Sequence, residues 1–116
     1  MSSVQHSSLA AGRWQSLSLM EQLANVGSEV ERALKWLERD NREYSRLAFL
    51  RALELLELTL ADSRHRRRLK ELTRTREALL DFFLGDNEFR STGKSWHNYF
   101  YGFAYAAALE KGKRTS

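Results

Sequence analysis

Seven consecutive positions, Arg64-His-Arg-Arg-Arg-Leu-Lys70, hold five cations and a histidine and form the densest polar signal in the chain. Cations at this density suit phosphate, because neutralising a polyanion releases its counterions and makes affinity fall steeply with salt. Arg64, Arg66, Arg67, Arg68 and Lys70 are therefore the candidate anion- or nucleic-acid-binding residues. The competing reading is a solvated face partly neutralised by Asp62, Glu57 and Glu71, and both stand at this point. Metal chemistry is not expected. Helical carboxylate sites need Glu-x-x-His pairs on facing helices, no cysteine is present, and His65 sits among cations that would repel a metal. No metal, cofactor or catalytic residue is assigned.

The second informative stretch is aromatic. Trp96, Tyr99, Phe100, Tyr101, Phe103 and Tyr105 crowd into one short segment, and no charged residue occurs between Trp96 and Leu109. At about 100° per residue, Trp96, Tyr99, Phe100 and Phe103 share a face, with Tyr101 and Tyr105 roughly opposite. A helix that is apolar all round has both sides covered. One side belongs to the core and the other to a partner. Trp36, Tyr101 and Tyr105 are the candidate oligomer-interface residues, because large aromatics anchor interfaces and the first and last helices are expected to be neighbours. Thr92-Gly-Lys-Ser95 has the ending of a phosphate-binding loop, but the motif needs a glycine where Glu88 stands and a strand before it.

The elements that must position these residues follow from apolar spacing. Ser18-Leu-Met-Glu21 has the pattern of a capping box, and Met20, Leu23, Gly27, Val30, Leu34 and Leu37 recur behind it at spacings of three and four. The spacing predicts a first helix over 19–39. Asp40-Asn-Arg-Glu43 repeats the capping-box pattern and starts a second helix whose broad leucine arc predicts the deepest burial of the first three. Asp62-Ser63 offers the next N-cap. A third helix carries Leu69, Leu72, Leu79, Leu80 and Phe83 and stops at Gly85, a residue suited to left-handed closure. The aromatic helix then runs to about Gly112. Short connections favour antiparallel neighbours. The predicted fold is all-α, an antiparallel up-down-up-down four-helix bundle over 16–112, with a flexible N-terminal tail over 1–15 and a basic C-terminal tail over 113–116.

In that topology Lys111, Lys113 and Arg114 join the basic run at one pole, while Asp86 and Glu88 mark the other. Arg76 falls on the apolar face of the third helix, with Glu29 and Glu54 as expected partners. Trp14 is expected to dock at the end of the tail. The 116 residues and formal charge of +4 fit one small domain. The cysteine-free composition fits a reducing cytoplasm, and no stretch approaches the roughly 20 apolar residues of a membrane span.

Arg90 and His97, separated by six residues, resemble the Arg-x4-6-His motif of the HEPN superfamily, helical bundles that include metal-independent ribonucleases. That resemblance implies acid–base work by His97 and phosphate contact by Arg90, and it covers only two residues and a spacing. Three longer strings, Gln22–Ala33, Arg51–Asp62 and Phe83–Glu88, resemble a family of small uncharacterised prokaryotic helical proteins. That likeness implies a helical bundle of prokaryotic origin and no assigned activity. The expected function is a non-enzymatic self-associating interaction module, with a dimer favoured. Nucleic-acid binding through residues 64–70 is the alternative, and a HEPN-like ribonuclease comes after it.

Overall fold

The computed structural model describes residues 12–115, with side chains through Lys113. Every regular element in that range is helical: α1 (Leu19–Glu38), α2 (Arg42–Leu60), a 3-10 turn (Ser63–Arg68), α3 (Leu69–Leu84) and α4 (Gly93–Thr115). Most of the expected 1–15 tail lies outside the described residues. None of the helices described is long and apolar enough to cross a membrane.

Local chemistry explains the boundaries. Ser18 and Glu21 form the reciprocal capping box that starts α1, with both bonds present. The end of α1 departs from expectation. The Asn41 amide donates to Trp36 O at 2.9 Å and the Asp40 amide to Leu37 O at 3.0 Å. These are the two bonds of a Schellman closure, and Asp40 takes its left-handed position at φ 58°. Asp40 is thus occupied in ending α1 and cannot cap α2. Asn41 does so instead, accepting from the Tyr44 amide at 3.0 Å. Gly85 also differs from its predicted left-handed role, lying at φ −109° and ψ −156°. Space there is tight, since a Cβ would stand 3.1 Å from Asp81 O. The left-handed positions of that connection are Asn87 and Arg90.

Burial centres on α1, which packs against α2 on one side and α4 on another. Gln22, Leu23, Val26, Gly27, Val30, Ala33 and Leu34 are its buried residues. The predicted single seam is too narrow, because two neighbours bring Gln22, Val26 and Ala33 into the core while Leu37 stays exposed. The expected pre-eminence of α2 fails as well: Leu47 and Leu50 are exposed, Leu47 at the groove between α2 and α1. At the α1–α4 contact a Cβ on Gly27 would lie 2.7 Å from Phe100 Cβ, so only glycine admits this approach. Phe49 of α2 stacks on Phe83 of α3 with centroids 4.7 Å apart, closing the other side of the core. Arg76 meets Glu57, not the expected Glu29 or Glu54. Glu29 is held instead by Arg32 at 3.5 Å.

Candidate functional site

The basic run begins in a 3-10 turn and not in α3 itself, and the reason is a buried polar cluster that sequence spacing did not reveal. Asp62 is 4% exposed and caps the turn by accepting from the Arg64 amide at 3.1 Å. Gln22, fully buried in α1, donates through Nε2 to Trp14 O at 2.9 Å and to Asp62 Oδ2 at 3.1 Å. Its Oε1 lies 3.0 Å from His65 Nε2, so a neutral His65 donates there through Nε2–H. Trp14, also buried, donates its indole N–H to Thr59 Oγ1 at 3.0 Å. The expected docking of Trp14 is therefore part of a network that fastens residues 14–17 to the end of α2.

Electrostatics in the cluster follow from these contacts. The Arg64 side chain grips Asp62, with Nη2 2.6 Å from Oδ2, and holds its carboxyl far below the ordinary carboxylate range despite burial. Burial pushes His65 below its ordinary value, with Arg64 and Arg68 adding repulsion and Asp62 opposing them. Such a site favours neutral His65 beside ionised Asp62.

The five predicted cations divide into two groups. Arg64 is spent on Asp62 and on Leu17 O at 2.8 Å, and Arg68 pairs with Glu71 at 2.8 Å. Arg66, Arg67 and Lys70 are exposed and make no ion pair with a described residue. At the same pole Ser18 Oγ donates to Glu110 at 2.6 Å, bringing the last turns of α4 beside the start of α1. Lys111 and Lys113 are exposed there, and the side chain of Arg114 lies outside the described residues. α4 itself continues past the predicted end near Gly112.

The aromatic helix divides as its periodicity predicts. Trp96 and Phe100 are buried and Tyr99 and Phe103 half-buried, whereas Tyr101, Tyr105 and Leu109 are 62%, 60% and 51% exposed. Ala104, Ala108, Asn98 and Gly102 lie on or beside that exposed side. Trp36 does not join it. Its ring meets Tyr44 edge-on at 4.9 Å with Arg39 over its face at 5.5 Å. It lines an α1–α2 groove with Glu29, Arg32 and Arg51, while Tyr101 lines a separate α1–α4 groove with Ala24, Ser28 and His97.

His97 Nδ1 lies 2.6 Å from Glu31 of α1. Arg90 sits in the connection before α4 at φ 55°, its position fixed by an Asn87 side chain that bonds both the amide and the carbonyl of Ser91. Thr92 and Ser95 cap α4 reciprocally: the Ser95 amide donates to Thr92 Oγ1 at 3.0 Å and the Thr92 amide to Ser95 Oγ at 2.9 Å. The phosphate-loop ending is a helix start whose hydroxyls are already engaged. Comparison with protein-family models, curated proteins and solved structures finds no significant match.

Proposed function

We propose that this chain is a non-enzymatic interaction module, an antiparallel up-down-up-down four-helix bundle that pairs with a second copy through the outer face of α4. Contacts between opposite helix ends support the topology: Ser45 to Ala33 O between α2 and α1, and Ser18 to Glu110 between α1 and α4. The observation that carries the function is the exposed ridge Tyr101, Tyr105 and Leu109 on a helix free of charge from Trp96 to Leu109. A two-fold axis near Tyr105 would set Tyr101 of each copy against Leu109 of the other, an isologous pairing.

Size sets the expected strength. With roughly 150–250 Å² available from each fully covered aromatic, the ridge and its flanking alanines offer on the order of 400–500 Å² per chain. A dimer would bury roughly 900 Å², below the ~1,200 Å² at which stable interfaces begin. Association is accordingly weak and reversible. Sedimentation of the full chain across micromolar concentrations tests it, with Tyr101→Ser/Tyr105→Ser as the matched variant. A concentration-dependent dimer that the double variant abolishes, at unchanged helicity, is the expected result; identical distributions for both proteins would sink the proposal.

A second reading rests on Arg66, Arg67 and Lys70, which leave the basic pole free to contact phosphates. Salt-sensitive binding of duplex or single-stranded nucleic acid that is lost when these three become alanine would favour it.

A further inference from the structure

On the opposite side of α4 from Tyr101 and Tyr105, α3 and α4 flank an open cleft of about 330 Å³. Its walls include Ala78, Thr75, Tyr99 and Trp96, and Arg74 stands among its lining residues. This volume falls at the lower end of the range that takes small molecules, roughly 300–1,000 Å³.

The polar groups around the cleft are not equally occupied. Thr75 Oγ1 donates to Glu71 O at 3.0 Å, so toward Tyr99, 2.9 Å away, it accepts, and the phenol is the donor. Ser95 Oγ is used twice on Thr92. Glu71 is held by Arg68. Two groups remain. Arg74 is exposed and has no carboxylate partner among the described residues. Trp96 is 6% exposed, and its indole Nε1 is buried with no acceptor. Buried donors are almost always satisfied, and one left unmet is unfavourable. Trp14, the other buried tryptophan, shows the normal state with its bond to Thr59.

We infer that this cleft binds a small apolar carboxylate carrying a second oxygen acceptor. Its carboxylate pairs with Arg74, its apolar body lies against Ala78 and the Trp96 and Tyr99 rings, and its second oxygen takes the Trp96 indole N–H as the ring turns toward the cleft. A carboxylate alone would satisfy Arg74 and leave the indole unmet. An uncharged ketone would do the reverse. The class that answers both vacancies is an aryl or branched-chain oxo acid. This site shares no residue with the proposed dimer face and does not depend on it.

The test uses 4-oxo-4-phenylbutanoate as probe, with 4-phenylbutanoate and 4-oxo-4-phenylbutanamide as analogues lacking the ketone or the charge. The ¹⁵N-labelled full chain gives three indole N–H signals, one for each tryptophan, assigned with single Trp→Phe variants. The oxo acid should move the Trp96 signal downfield and saturate with millimolar affinity, as befits so small a ligand. Arg74→Ala, a change at an exposed position, should weaken binding about tenfold, the loss of one charge-assisted contact. 4-Phenylbutanoate should bind without the downfield shift. No movement of the Trp96 signal at about 10 mM probe, where a millimolar site would be nearly full, overturns the inference. Equal affinity for the Arg74→Ala protein overturns it as well.

Discussion

Gly102→Ala separates what the monomer needs from what its partner needs. Gly102 lies in the middle of α4, and a Cβ built there would meet nothing within 4 Å. Glycine inside a helix costs about 0.5–1 kcal/mol relative to alanine, because the unfolded chain loses more freedom. No contact with a described residue repays that cost. The substitution should therefore stabilise the monomer by about 0.5–1 kcal/mol, which for a domain of this size raises Tm by roughly 2–6 °C. If a second copy approaches the α4 backbone beside Tyr101 and Tyr105, the added methyl should weaken the dimer while stabilising its subunits. Thermal unfolding by circular dichroism below the association range measures the first effect, and sedimentation measures the second. An unchanged or lower Tm would refute the assignment of open space at Gly102. A raised Tm with undiminished association would refute close approach of a second copy there.

Gly27→Ala is the internal counterpart, since its Cβ would press on Phe100; a loss of about 1–3 kcal/mol in urea unfolding is expected from overpacking, and an unmoved midpoint would contradict the α1–α4 contact. Asp62→Ala strands the Arg64 donors and one Gln22 Nε2 hydrogen and should cost about 2–3 kcal/mol, with loss of Trp14 burial visible as a change in tryptophan fluorescence. Stability should also fall with acid in two stages. His65 has a lowered folded pKa through burial, so the unfolded state binds more protons and stability drops as pH falls below about 6.5. Asp62, lowered chiefly by Arg64, contributes fully above about pH 4 and loses that contribution on further acidification. His65→Gln should flatten the first stage of the Tm profile and leave the second; a profile identical to wild type would show that His65 does not titrate across folding. Arg66→Ala, Arg67→Ala and Lys70→Ala together should reduce the salt slope of any duplex DNA binding by up to about 2.7, at ~0.9 per phosphate contact, whereas a slope unchanged by the triple substitution would place the contacts elsewhere.

What the sequence made legible was local. The Ser18–Glu21 cap, the four helical segments and the division of α4 into buried and exposed aromatic faces all depend on residues within a few turns of one another. What it hid was nonlocal or competitive. Asp40 and Asn41 both suit an N-cap, and only the closure of α1 decides between them. Gln22 looks like a surface residue beside a leucine seam until Trp14, Asp62 and His65 arrive from distant positions. The signal available for that cluster was a polar residue one position from Leu23, in a helix that later proves to have two neighbours. Adjacency of α1 and α4 suggests one surface for Trp36 and Tyr101, but adjacent helices need not bring residues together, and these two line separate grooves. Tyr44, the third residue of α2, is what meets the Trp36 ring.

Two of the glycines in α1 and α4, Gly27 and Gly102, sharpen the argument for association more than the tyrosines do. Exposed tyrosines alone are weak evidence, since folded proteins leave much apolar surface in water. Gly27 shows what a helical glycine looks like when the chain's own packing demands it: any side chain there collides with Phe100. Gly102 carries the same helix penalty with no described residue opposite it. It does so beside an exposed ridge of large apolar residues on a helix whose central stretch holds no charge. Tyr101 and Tyr105 supply adhesive area and Gly102 supplies room, so the joint occurrence favours a surface shaped for contact over a surface merely left bare.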